Sequence, residues 1–222
     1  MKKFSSRARG IVRNAAALAL AATLVAVPGA VRAQQDSLVQ RALRSRALGS
    51  DSARLTVYEV ADFECPYCAE FTRTVEPELD SAYVATGKVK WVFVNLPLHT
   101  HRLGWAAAEA AMCAGGVADK FWPMHDLLYA NQAQWASKDD PMPLFETYAQ
   151  KAGVPLDAFR DCVLRDRVAT LLLQDVTSVV GAQITGTPTF IVIKGENVVK
   201  RMVGVKPFSE WRQVLDAELG GS

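Results

Sequence analysis

The stretch Leu55-Thr56-Val57-Tyr58-Glu59-Val60-Ala61-Asp62-Phe63-Glu64-Cys65-Pro66-Tyr67-Cys68 decides how the chain is read. Leu55 to Phe63 is rich in apolar and β-branched residues and reads as a buried strand. A Cys-x-x-Cys motif follows at once. Its proline suits the first position of a helix, which needs no N–H donor and tolerates a fixed φ. The spacing predicts a helix from Cys68 to Thr86, ended by Gly87 and kinked by Pro77. Val89 to Leu96 is a second strand of the same type. Strand, helix and strand make a βαβ unit, so the two strands are expected to be parallel.

Downstream, the pattern is helical from Arg102 to about Gln183, an all-helical block punctuated by Gly115-Gly116, Pro141, Pro143, Gly153 and Pro155. Thr189 to Ile193 returns to strand, and Val198 to Val203 answers it across a turn as a hairpin. Phe208, Trp211, Leu215 and Leu219 then recur at helical spacing. The order is βαβ, helical insert, ββα, which places helices over one mixed sheet. Upstream, Gln34 to Ser52 is polar, with scattered leucines, and reads as a short helical or loose arm.

The chain has 222 residues and a formal charge of +2, but the charge is unevenly placed. Residues 1–33 hold six basic side chains and no acid, leaving 19 basic against 23 acidic residues in the remainder. That body offers no broad basic surface for nucleic acid. Lys2 to Arg13 form a positive leader, Ala15 to Val27 a 13-residue apolar run, and Val31-Arg32-Ala33 a cleavage site before Gln34. This is the three-part pattern of a secretory signal peptide over 1–33. The alternative is an uncleaved membrane anchor, but thirteen residues span only about 20 Å as a helix, against a hydrocarbon core of about 30 Å. Export implies a compartment in which disulfides persist. All four cysteines, Cys65, Cys68, Cys113 and Cys162, lie in the mature part. Four allow three pairings. Taking the close pair together leaves Cys113 and Cys162 for each other, with two unpaired buried cysteines as the alternative.

At the mouth of a helix, the Cys65 sulfur faces the unpaired N–H groups of the first turn, including that of Cys68. An ordinary cysteine is only about 3% thiolate at pH 7. Lowering its pKa to roughly 5 would make the sulfur a ready nucleophile and a good leaving group. Cys68, one turn on, is expected to be more buried and to act as the resolving thiol. Half of a zinc site is the competing reading. Zinc wants four ligands, usually with a second close pair, and here the other cysteines lie singly 45 and 94 residues beyond Cys68. Gly186-Thr187-Pro188-Thr189 stands immediately before a strand, where a proline is permitted and a cis peptide could sit.

Phe63 to Cys68, the helical insert and Gly186 to Thr189 together resemble the DsbA-like family of extracytoplasmic disulfide oxidoreductases over roughly Leu55 to Leu219. The resemblance implies an α/β, thioredoxin-like fold, a central mixed sheet flanked by helices, over 55–219. The helical insertion falls at about 102–183 and the arm at 34–54. It implies that Cys65 and Cys68 are the redox pair. Pro188 would be a cis-proline facing their sulfurs, with Thr187 presenting backbone to a bound substrate chain. Glu59, six residues before Cys65, matches a buried acid that relays protons in this family; otherwise it is a surface strand residue. Cys113 and Cys162 match positions that carry a second disulfide in some members. Phe121-Trp122 and His125-Asp126-Leu127-Leu128 match a stretch of the family's insert and read as packing. His99 and His101 follow the second strand; a solvent-facing loop is the reading, with tuning of the site as the alternative.

The chain departs from the family in its Pro-Tyr dipeptide, where Pro-His is frequent. Tyr67 cannot add a charge beside the thiolate, so a weaker oxidant than the strongest members is expected. The resemblance implies an oxidase in the periplasm or its equivalent. Its disulfide would pass to reduced or misoxidised exported proteins, and a membrane or soluble redox partner would reset it. No cofactor, metal or nucleic acid enters the scheme, and a monomer is expected. Two other functions remain open: a reductase or isomerase of the same fold, which pre-proline Thr187 permits, and a non-catalytic metal- or peptide-binding module.

Overall fold

In the computed structural model, which describes residues 28–220, the run quoted above becomes the central strand of a five-stranded sheet. Along the chain, α1 (Pro28–Ser45) and the short β1 (Ala47–Leu48) precede β2 (Leu55–Ala61). Then come α2 (Pro66–Thr74), α3 (Glu76–Leu79), a π-helical turn (Asp80–Val84) and β3 (Val89–Asn95). The helical block comprises α4 (Gly104–Ala118), α5 (Phe121–Ala130), α6 (Gln132–Trp135), α7 (Met142–Lys151), α8 (Leu156–Leu164) and α9 (Ala169–Gly181). β4 (Thr189–Lys194), β5 (Asn197–Val203) and α10 (Phe208–Gly220) close the chain. Residues 1–27 of the expected leader lie outside the described residues. Among the described residues no helix is long and apolar enough to cross a membrane.

The sheet order is β1-β3-β2-β4-β5. β2 runs parallel to β3 and antiparallel to β4, and both β1–β3 and β4–β5 are antiparallel. Being central, β2 is mostly buried, although Tyr58 in its middle is exposed. β3 instead alternates, with Val89, Trp91, Phe93 and Asn95 inward. One core fills the space between the sheet, α2 and α10. In it Phe190 packs 4.5 Å from Phe71 and 4.8 Å from Trp211, centroid to centroid. A second lies inside the helical block and reaches Phe63 and Phe93 at the sheet. The two cores meet below the start of α2, which places the redox motif at the seam between sheet and insert.

Two local expectations change, and for the arm the helical reading holds. The helix after the motif does not kink at Pro77; it breaks at Val75, which sits at φ −123°. Pro77 cannot donate to the carbonyl of Arg73, so a new turn begins with the proline in its first two positions. Gly115 and Gly116 do not end a helix but lie inside α4, where α1 crosses it. A Cβ on Gly115 would fall 2.1 Å from the Ser45 hydroxyl, and one on Gly116 would fall 3.0 Å from Leu38. The polar arm is therefore docked helix for much of its length. Leu38 and Ala42 are buried, the Arg41 guanidinium donates to the Gly116 carbonyl at 2.8 Å, and Arg46 pairs with buried Asp175.

Candidate active site

β2 ends at Ala61, and a tight turn carries the chain into α2. The Cys65 amide donates to the Asp62 carbonyl at 3.0 Å. Cys65 then takes an extended conformation (φ −73°, ψ 122°) as the cap of α2, with Pro66 at its start. Its carbonyl accepts the first helical bond from Ala69. Both sulfurs belong to buried residues, Cys68 fully so. They are present as free thiols.

The two thiols are driven apart in acidity. The Cys65 pKa falls to about 6, chiefly because the Cys68 thiol donates to its sulfur; burial works against this, and Thr187 and the amides of Cys68 and Tyr67 add to it. The helix-mouth amides thus contribute, but the neighbouring thiol contributes most. Burial pushes the Cys68 thiol well above its ordinary value, and the charge on Cys65 pushes in the same direction. At pH 7 a group with pKa 6 is about 90% ionised. One sulfur is therefore a standing nucleophile and the other a protonated reserve.

Across from Cys65 lies the loop before β4. The Thr187–Pro188 peptide is cis, and the Cys65 sulfur lies 3.5 Å from the Thr187 carbonyl oxygen. The Thr189 hydroxyl donates to the Gly186 carbonyl and the Gly204 amide to the Pro188 carbonyl, holding the loop from both sides. A groove of about 410 Å³ runs along it, lined by Tyr67, Glu70, Gly186, Thr187 and the Val203–Val205 segment. Tyr67 is exposed at its rim.

Glu59 is a buried residue of β2, not a surface one. The Trp91 indole donates to its Oε2 at 2.8 Å, and its Oε1 is without a partner. Burial raises its pKa to about 7, and its charge is felt at Cys68. Cys113 and Cys162 are joined in a disulfide between α4 and α8, outside the redox site. Among the described residues no group of three or more His, Cys, Asp or Glu side chains is placed to hold a metal ion.

The turn before Cys65 is held by residues that sequence reasoning missed. Asp62 is buried; its Oδ1 accepts the Glu64 amide at 2.9 Å. Its Oδ2 accepts the Leu98 amide at 2.8 Å and lies 2.6 Å from His101 Nδ1. His101 is thus drawn to the site, while His99 is exposed. Glu64 accepts the Leu103 amide, and Gln132 of α6 donates to the carbonyls of both Phe63 and Cys65, at 2.7 and 2.9 Å. An Asp bonding the amide two residues on is a recognisable turn signal, so Asp62 was within reach of the sequence. Gln132 carries no such signal.

Comparison with known proteins agrees with this geometry. A family model described as Thioredoxin matches residues 42–217. A Salinispora tropica protein named Na(+)/H(+) antiporter NhaA 3 is 37% identical over 150 residues, covering 67% of this chain and 22% of that protein. A putative protein-disulfide oxidoreductase of Rickettsia felis is 29% identical over 146 residues, covering 65% of this chain and 51% of that one. The chain thus spans from about a fifth to about a half of these relatives. The crystal structure of oxidised BdbD from Bacillus subtilis superposes with a TM-score of 0.69 at 23% identity, covering 81% of this chain and 95% of that one. It shares the fold.

Proposed function

This chain belongs to the thioredoxin family, and on that premise we propose that it is an extracytoplasmic thiol–disulfide oxidoreductase which donates a Cys65–Cys68 disulfide to exported client proteins. The observation that carries the reading is the split between the two thiols: Cys65 at a helix mouth with a pKa of about 6, and Cys68 behind it, buried and raised.

The steps follow from that split. A client thiolate attacks the Cys65 sulfur of the oxidised pair, and the Cys65–Cys68 bond breaks. Cys68 is a poor thiolate in its buried place, so it takes a proton as it leaves, and Glu59 beneath it is the acid that supplies one. A second client thiolate then attacks the client sulfur of the mixed disulfide. Cys65 leaves readily because its anion is stabilised. The client is oxidised by two electrons and the enzyme pair is reduced. The groove along Thr187 and Val203–Val205 suits an extended client segment, positioned by main-chain groups of the loop.

In this reading residues 1–33 act as the signal peptide, the mature protein works outside the cytoplasm as a monomer, and a separate redox partner reoxidises it. Refolding of a reduced disulfide protein should accelerate with the oxidised enzyme, and no acceleration would overturn the proposal. The equilibrium potential against glutathione sets the direction of exchange. A value above about −200 mV supports the oxidase, and one near about −270 mV makes the protein a reductase.

A further inference from the structure

A second cavity, of about 580 Å³, opens on another face of the redox helix. Ala69, Thr72 and Arg73 of α2, with Glu76 and Pro77 of α3, form one wall. Trp122, Asp126, Tyr129 and Ala130 form the opposite wall; they share one face of α5 at helical spacing. On these walls Trp122 Nε1 is buried without a hydrogen-bond partner, and the Thr72 hydroxyl stands beside the Glu76 carboxyl as its hydrogen-bonding neighbour. Buried polar groups are ordinarily paired. A cavity of this size admits water, and Glu76, only partly buried, stands in its wall.

Behind that wall the unsatisfied groups continue inward. His125 is fully buried among Phe63, Phe93, Trp122 and Tyr129, with its Nε2 unpartnered. Phe93, against its ring, stands opposite Glu59 in the sheet register. Glu59 Oε1 is unpartnered as well. The groups facing Glu76 are Glu59 from β2, His125 and Asp126 from α5, and Arg73 and Asp80 from its own segment. Burial holds the Glu76 pKa up to about 7, His125 opposes this, and the charge on Glu59 adds to it. Geometry links the two carboxyls: Glu76 shares the cavity with Trp122, whose ring packs 4.8 Å from that of His125, and His125 packs 5.4 Å from Phe93, the register partner of Glu59. Glu59 has no exposed surface, so a proton it gives or takes must be exchanged through the protein.

We propose that Glu76 and this cavity are the proton exit of the buried dithiol, carrying protons between Glu59 and solvent. The inference rests on the oxidoreductase reading above, with Glu59 as the group that exchanges a proton with Cys68. As Cys68 leaves a disulfide it takes a proton from Glu59, Glu59 recovers one from Glu76, and Glu76 takes one from solvent in the cavity. When Cys68 closes the ring on a mixed disulfide, its proton travels the same route outward. One proton crosses for each sulfur released or captured, and no electron moves along this path. Glu76 touches neither sulfur nor client; it is a positioning residue for protons.

The test uses ring closure. Reduced protein mixed with excess oxidised glutathione forms a mixed disulfide at Cys65, and Cys68 then expels glutathione. Closure is followed by acid quench and mass analysis across about pH 5 to 8, in light and heavy water. Glu76→Gln keeps the shape and removes the exchangeable proton. It is expected to close about tenfold more slowly, less than the 10²–10⁴-fold loss typical of an acid or base at the reacting atom. Its solvent isotope effect should rise while the Cys65–Cys68 potential stays unchanged, and Glu76→Asp should recover much of the rate. Should Glu76→Gln fold poorly, Ala130→Leu, which fills the cavity mouth, is expected to slow closure in the same way. Equal closure rates in a working protein, or slowing matched by a shifted potential, would sink this inference alone. If the unsubstituted protein forms no mixed disulfide, the oxidoreductase reading fails and takes the inference with it.

Discussion

The Cys65 sulfur lies 3.5 Å from the carbonyl oxygen of Thr187, a residue 122 positions further along the chain. The start of α2 and the start of β4 thus converge on one atom, and both elements owe their positions to β2, which pairs with β4 and leads into α2. That carbonyl can only accept from the thiol; the Cys68 thiol, the Thr187 side chain and the helix-mouth amides lower the pKa, so the nucleophile's acidity is also a tertiary property. Cys68→Ala should raise the Cys65 pKa by about one unit or more, and Thr187→Val by less, because the neighbouring thiol is the larger donor. Thiolate absorbance against pH measures both. An unchanged pKa in Cys68→Ala would show that the helix-mouth amides suffice.

The reduced and oxidised proteins should differ in how their stability responds to pH. The folded Cys65 pKa, about 6, lies below the ordinary thiol value, so the reduced folded protein binds that proton less tightly than the unfolded chain. The stabilisation is complete above about pH 8.5 and is lost as pH falls through about 6. The oxidised form has no such thiol. Denaturant titrations of both forms should therefore show the reduced form losing ground between about pH 8 and pH 5.

Glu59 has the opposite sign. Its folded pKa, about 7, is raised, so its favourable contribution is complete below about pH 4.5 and disappears as pH rises through 7. Glu59→Gln keeps an acceptor for the Trp91 indole and removes the buried charge. It should stabilise the protein by on the order of 2 kcal/mol at pH 8 and by little at pH 5, while slowing exchange at Cys68. Equal stabilisation at both pH values would mean that the charge is not the cause.

Cys65→Ser with Cys68→Ser should leave a protein that shows no free thiol until reductant is added, because Cys113 and Cys162 are bonded to each other. Replacing that pair by alanine opens a loop of 49 residues and should cost about 4 kcal/mol by loop-closure entropy. Thermal unfolding with and without reductant checks the second expectation, and thiol labelling the first.

Gly104 should be intolerant of even a methyl group. A Cβ there would lie 2.6 Å from Asp62 Oδ1, and Asp62 holds the turn before Cys65. Gly104→Ala should lower stability by about 1–3 kcal/mol through the displaced carboxylate and slow reaction at Cys65. Wild-type stability and activity in that variant would mean that Asp62 has room to move.

Some of this was legible in one dimension. A strand running into Cys-Pro-Tyr-Cys, the helical insert and Gly-Thr-Pro-Thr before a strand are short-range patterns. The physics behind them is equally short-range: N–H groups left open at a helix start, the fixed φ of Pro66, and the period-2 and period-3.6 placement of apolar side chains. Those local rules were enough to expect a mixed sheet with Cys65 at a helix mouth. They failed where a distant partner decides. Pro77 sits near a break, not a kink, and Gly115-Gly116 looked like punctuation until α1 was seen crossing them. Between a solvent-facing loop and a role at the site, buried Asp62 decides for His101 by drawing its ring to the turn before Cys65. Only the tertiary structure buries Glu59 and Cys68 completely and Glu76 in part, brings Gln132 to the Cys65 carbonyl, and leaves an unpaired polar atom at the wall of a cavity. Desolvation and unmet hydrogen bonds come from what surrounds a group, and packing from distant parts of the chain supplies those surroundings.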